Sequence, residues 1–285
     1  MDNQYENMEL EGVDVQHEGL EIEFLLEAIY RLSGFDFRKY NRSSISRRIH
    51  NRMNISGIET ITGLLEKVIH EENFLEQMLN DFSINVTEMF RNPSFFKTFR
   101  KEVVPILREY QEIRIWHAGC ATGEEVYSMA ILLEEEGLKD KTVIYATDMN
   151  EQVLEKASKG AFPIQKMQAY TKNYMLAGGN YAFSEYYKAD HQYAYFHPSI
   201  LENIIFAQHN LVTDQSFNEF HVIICRNVLI YFTSELQVQV QNLFYESISP
   251  QGFLGLGDKE TLRFSQVMEN YQEIAEKERI YQRVK

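Results

Sequence analysis

Two adjacent carboxylates at the head of a glycine-bracketed turn are the first residues whose types and spacing suggest chemistry. In the stretch from Ile113 to Ser128, IRIWHAGCATGEEVYS, apolar residues from Ile113 to Trp116 read as a strand, and Gly119 and Gly123 let the backbone turn tightly against a ligand. Glu124 and Glu125 then open a helix carrying Val126, Met129, Ala130, Leu132 and Leu133. Acidic residues suit the positive end of a helix but repel phosphate. The loop therefore suits a ligand with a cationic end, such as the amino group and sulfonium of S-adenosylmethionine, better than a pyrophosphate. Strand-glycine-helix turns also occur in α/β proteins that hold no such ligand, so this stretch alone leaves both readings open.

Further polar residues stand where strands end. TVIYATD closes on Asp148, placed to bind ribose hydroxyls or simply to cap the next helix. The strand from Ile204 leads to Asn210 and Leu211, and the strand from Phe220 to Cys225 leads to Arg226 and Asn227. Upstream, NVTEMFRNP groups Asn85, Thr87 and Arg91 in a short stretch that reads as site residues or as a polar linker between helices.

The elements that must position these groups alternate strand and helix from the key loop onward. Helical periodicity from Glu21 to Leu32, a segment capped by Ser43 or Ser44 and stopped by Gly57, and two more segments near 60–70 and 73–81 predict an all-α domain over 19–92. Pro93 starts a helix running to about Tyr110. Residues 93–285 then form an α/β domain with a doubly wound parallel sheet, a strand at FLGLG and a terminal antiparallel hairpin turning near Glu276–Glu278. At about 163–203 a tyrosine-rich stretch breaks the alternation and predicts an inserted helical linker and small antiparallel β-subdomain. Residues 1–18, acidic and poor in large apolar groups, read as a disordered tail.

The composition excludes several functions. A net charge of −14 and a pI near 5.1 argue against nucleic acid as the partner. No apolar run approaches the roughly 20 residues a membrane helix needs, so a cytoplasmic protein with no membrane insertion is expected. Two cysteines, Cys120 and Cys225, form no disulfide framework and no metal-ligand spacing, although the two thiols could lie close together if the strands ending near them are neighbours. Against this acidic background, Arg38, Lys39, Arg42, Arg47, Arg48 and Arg52 cluster, either as a solvated face balanced by acidic neighbours or as a docking surface for an acidic partner.

Taken in order, RRIHNRM, NVTEMFR, GCATGEEVYS, ATDMNEQVLEKASKGAF, Asn210-Leu211 and CRNVLIYF resemble the chemotaxis receptor methyltransferases of the CheR type, from about Phe24 to the C-terminus. The resemblance implies a Rossmann-like S-adenosylmethionine-dependent methyltransferase sheet with an N-terminal all-α domain and an inserted β-subdomain. It implies methyl transfer to glutamate side chains on the cytoplasmic helices of chemoreceptors, with S-adenosylhomocysteine as product and no metal. Cofactor contacts fall on Asn85, Thr87, Arg91, Gly119, Glu124, Asp148, Asn210, Leu211, Arg226 and Asn227; Glu125 could replace Glu124, because spacing alone does not separate adjacent carboxylates. The active-site tyrosine matches Tyr231, with Arg91 near the reacting centre, and the basic docking helix matches Arg47, Arg48 and Arg52. The chain is expected to act as a monomer.

The chain departs from the family in two places. Gly257-Asp258-Lys259-Glu260 stands where the family often shows Gly-His-Ser-Glu, and the insert aligns with no family pattern, so capture of a receptor C-terminal peptide does not follow. Arg226-Asn227-Val228 replaces the Asp/Asn-Pro-Pro-aromatic motif of DNA amino-methylators. The alternatives are a non-catalytic cofactor-binding adaptor and a methyltransferase acting on a signalling protein other than a chemoreceptor.

Overall fold

The computed structural model describes residues 2–83, 86–262 and 265–285, with side chains from residue 17 onward; Asn85 lies outside the described residues. The chain divides into two compact units, one formed by its N-terminal helices with Tyr231–Leu236, the other by the rest.

Among the described residues the helical unit has four helices. Helix α1 (Asp2–Ser33) buries Ile22, Leu25, Leu26 and Ile29. It takes in the acidic stretch expected to be a tail; Glu, Gln, Met and Leu there favour helix and no proline interrupts them. Helix α2 (Arg42–Ser56) begins earlier than the predicted serine caps, because the Asn41 side chain accepts the Ser43 N–H at 3.1 Å. It stops, as expected, at Gly57 in the left-handed region at φ 64°. Helix α3 (Ile61–His70), capped by Thr60, buries Ile61, Leu64 and Val68, and α4 (Glu72–Phe82) buries Phe74, Met78 and Phe82.

The second unit opens with α5 (Pro93–Thr98) and α6 (Val104–Leu107), separated by a π-turn in which the Val104 N–H bonds Phe99 O. The single helix expected here is thus interrupted just before Pro105, which has no N–H to continue the ladder. Its sheet strands are β1 (Ile113–Ala118), β2 (Thr142–Asp148), β6 (Ile204–Gln208), β7 (Phe220–Cys225), β8 (Ile248–Leu256), β9 (Tyr271–Ala275) and β10 (Ile280–Arg283). They run in the order β6-β2-β1-β7-β8-β10-β9, parallel from β6 to β8 and antiparallel in the final hairpin. Strand β8 starts earlier than FLGLG, since an irregularity between its Phe220↔Ile248 and Val222↔Phe253 pairs accommodates Pro250 and Gln251 at φ 62°.

Helices α7 (Glu124–Glu135), α8 (Glu151–Ser158), α10 (Pro198–Leu201) and α11 (Ser234–Ser247) connect the strands. Between α8 and β6 lies the predicted insert, with helix α9 (Met167–Leu176) and a three-stranded antiparallel sheet of β3 (Ala161–Pro163), β5 (Tyr193–Phe196) and β4 (Tyr187–Ala189), in that order. Its anchor is Glu135 of α7. This fully buried carboxylate accepts from the Tyr174 hydroxyl, the Tyr186 hydroxyl at 2.8 Å and the Asn180 N–H at 3.0 Å, and pairs with Arg100.

Candidate cofactor site

The loops following β1, β2, β6, β7 and β8 emerge at the carboxyl ends of parallel strands, where open α/β sheets hold their ligands. After β1, the Gly119 and Cys120 N–H groups both donate to Thr147 O, at 2.8 and 2.9 Å, lashing the loop to the end of β2. Gly119 and Gly123 have φ of 76° and 90°, and a Cβ on either would come within 2.7 Å of Val228 or 2.9 Å of Ala157. Both glycines are therefore required by backbone and packing together. Asp148, buried, accepts the Ala121 N–H at 2.9 Å and the Asn150 N–H at 3.0 Å. Burial raises its pKa, and these backbone donors oppose the rise.

The two adjacent glutamates occupy different environments. Glu124, 2% exposed at the head of α7, accepts from Thr122 Oγ1 at 2.6 Å and the Tyr170 hydroxyl at 3.3 Å, with Lys166 Nζ 3.6 Å away. Burial and the Glu124 charge push the Tyr170 phenol up, so it remains a donor. Glu125 instead accepts from Arg226 at 2.7 Å and lies 3.4 Å from Nδ1 of the buried His117. Burial would raise the Glu125 pKa, but the Arg226 charge, helped by His117, outweighs it and leaves the carboxyl below its usual range.

Arg226 is bonded through both terminal nitrogens, donating to Glu125, to Arg91 O at 3.2 Å and to Asn92 Oδ1 at 2.9 Å, and its guanidinium lies 4.1 Å over the Phe95 ring. It clamps the turn that carries Arg91, where Phe90 and Asn92 hold left-handed φ of 51° and 53°. That turn is tied to α7 as well: Phe90 N donates to Ser128 Oγ at 2.8 Å, which donates to Glu124 O at 2.7 Å. The Arg91 side chain is half-buried and among the described residues makes a single long hydrogen bond, 3.3 Å to Val86 O; Thr87 is half-buried nearby in sequence.

Sequence reasoning did not single out Glu260. This buried carboxylate, after β8, accepts the Gly257 N–H at 2.6 Å, the Asn227 N–H at 3.0 Å and the Ile230 N–H at 3.3 Å. It therefore fixes the loop after β7, in which Asn227 has φ of 63°. The signal was available: Gly257 and Glu260 keep the first and last positions of the Gly-His-Ser-Glu run, and Glu260 is the residue that bonds. After β6, buried Asn210 accepts Val212 N at 3.0 Å and Leu211 is buried beside it, while His209 N reaches Asp148 O at 3.1 Å.

Cys120 and Cys225 are buried free thiols whose burial raises their pKa and so disfavours the thiolate. Tyr231 belongs to the helical unit, where Arg48 stands 6.0 Å over its ring and its carbonyl accepts the Asn41 N–H at 2.7 Å. Of the predicted docking arginines, Arg52 pairs with Asp81 and Gln77, Arg48 donates to Asp81 O at 2.5 Å, and Arg47 is exposed.

Two buried carboxylates beside a glycine loop with no lysine or arginine of its own fit an S-adenosyl ligand, whose ribose hydroxyls and ammonium are donors. Residues 20–83 match the CheR methyltransferase all-alpha domain and residues 85–279 match the CheR methyltransferase SAM binding domain. A Pseudomonas putida protein named as a candidate methyltransferase, Cher3, is 45% identical over 264 residues, covering 93% of this chain and 97% of that protein. The chemotaxis protein methyltransferase of Listeria monocytogenes is 30% identical over 246 residues, covering 84% and 89%. Both domains of the match appear in order and together span nearly all of the folded chain, so the protein belongs to the CheR methyltransferase family.

Proposed function

We propose that this protein transfers a methyl group from S-adenosylmethionine to glutamate side-chain carboxylates on the cytoplasmic helices of chemoreceptors. The observation that carries the reading is the difference between two arginines. Arg226 is occupied by Glu125, Arg91 O and Asn92, whereas Arg91, on the turn that Arg226 clamps, has among the described residues only the long bond to Val86 O. A guanidinium fixed in place but little engaged is suited to orient an incoming carboxylate.

Glutamate has a reference pKa near 4.3, so the nucleophile is ionised at neutral pH and needs no general base. When bound, S-adenosylmethionine supplies an electrophilic methyl group on a sulfonium. The task of the protein is alignment and replacement of water, because anion and cation merge into neutral products. In this reading Glu124 holds the methionyl ammonium, Asp148 the ribose hydroxyls, and Gly119, Thr87, Asn210, Leu211 and Asn227 shape the pocket. Arg91 orients the substrate carboxylate; Tyr231 is assigned to the active site by resemblance alone. Asn85 is assigned to the cofactor by resemblance alone. Arg226 and Glu125 support the site through the Arg91 turn.

Chemotaxis protein methyltransferases among the relatives support the receptor as substrate. The Cher3 relative is named only as a methyltransferase, and a signalling protein outside the chemoreceptors is the second reading. Incubation with methyl-labelled cofactor and receptor cytoplasmic fragments tests the proposal. Label released by mild base as methanol is the expected result; base-stable label, or none, contradicts it.

A further inference from the structure

Strand β1 sends Ile113 and Ile115 into the core that also takes Val126, Met129 and Leu133 of α7, and the period-two alternation of a strand puts His117 on the same face. A third aliphatic side chain would complete that face. The imidazole found there is 1% exposed, and neither of its nitrogens has a hydrogen-bond partner in good geometry among the described residues. Burying an unpaired polar ring costs free energy that an aliphatic residue would not, so this histidine calls for a partner.

Glu125 supplies one. Its Oε2 accepts from Arg226 Nη1 at 2.7 Å, and its Oε1 lies 3.4 Å from His117 Nδ1. The two oxygens of one carboxylate therefore face two different side chains, and a shift of roughly 0.4 Å brings Nδ1–H to the usual N–H···O separation. Held at one oxygen by the imidazole, the carboxylate is fixed in the orientation that presents the other to Arg226. Arg226 in turn donates to Arg91 O and Asn92 Oδ1. We propose that His117 is a positioning residue: Nδ1–H donates to Glu125 Oε1 and orients the carboxylate that holds Arg226, and through Arg226 the turn that carries Arg91. Its effect on turnover rests on the methyl-transfer reading above. The imidazole acts from behind the site, through Glu125 and Arg226, and carries no chemical step of its own.

Nitrogen-15 NMR of the full chain, free of ligand, reads the imidazole directly. The expected result is a proton on His117 Nδ1, with the Nδ1 resonance moved by Glu125→Gln; a bare Nδ1, or a resonance indifferent to that substitution, overturns the inference. A double-mutant cycle with S-adenosylmethionine and a receptor cytoplasmic fragment then reads the consequence. His117→Leu should lower kcat about tenfold in the otherwise wild-type chain, with KM for the fragment and Kd for S-adenosylhomocysteine within about twofold, and should lower it less than about twofold in a Glu125→Gln chain. An unchanged kcat, or equal losses in both backgrounds as a merely structural histidine would give, overturns the positioning role. If the wild-type chain methylates no fragment, the methyl-transfer reading fails, while the NMR result still decides whether His117 holds Glu125.

Discussion

Because Arg226 donates to Glu125, to Arg91 O and to Asn92, its removal should act through the fold, whereas removal of Arg91 should act on turnover. Arg91→Ala is expected to lower kcat by about a hundredfold or more while changing cofactor Kd less than about threefold, measured by initial rates and titration. Arg226→Ala leaves Glu125 as a buried charge without its main partner and should cost about 3 kcal/mol or more in urea unfolding. The sign for Glu125 follows from its lowered pKa: its stabilising contribution is present above the unfolded value near 4.3 and is lost as pH falls through the lower folded value. Between about pH 5 and pH 3 the wild type should therefore lose more unfolding free energy than Glu125→Gln; equal slopes would show that the pair contributes nothing. The sequence displayed Glu124, Glu125 and Arg226 after strand ends and Arg91 in the segment before Pro93, yet their division of labour was not legible there. Spacing shows which side chains share an element, and only the folded loops show which donors are already engaged.

At the level of elements, the order of strands and helices was readable, because buried parallel strands give apolar runs and glycine ends several helices. Less legible were the features set by long-range contacts. The early start of β8, the π-turn before Pro105 and the Asn41 cap each depend on how backbone N–H groups find partners. Glu135 is the strongest case: nothing local distinguishes it from Glu134 or Glu136, but its buried carboxylate gathers Tyr174, Tyr186, Asn180 and Arg100 to hold the insert. Burial would raise its pKa, and the tyrosine and backbone donors outweigh that and lower it. Glu135→Ala should detach the insert, costing about 3 kcal/mol and opening residues 161–197 to protease. Hydrogen exchange in β1 and β7 should change less; uniform loss of protection across the chain would contradict a local anchor.

For the whole molecule, charge is the main lever. The chain carries −14 in total, and most of its N-terminal basic cluster is balanced internally, with Arg38 on Glu27 and Asp36, Lys39 on Glu235 and Arg52 on Asp81. That leaves Arg47 as the exposed member of the predicted docking set, so a receptor segment rich in glutamate should meet a narrower basic surface than the sequence suggests. Arg47→Glu is expected to raise KM for a receptor fragment several-fold with kcat unchanged, and added salt should shrink the difference. An effect on kcat instead would place Arg47 outside docking. The central claim, a carboxylate acceptor, is tested most directly by tandem mass spectrometry of a receptor cytoplasmic fragment after incubation with S-adenosylmethionine and this protein. The account predicts methyl esters on glutamate side chains, strongly reduced with Arg91→Ala; methyl groups on any other side chain, or an unmodified fragment despite measured S-adenosylhomocysteine binding, would contradict it.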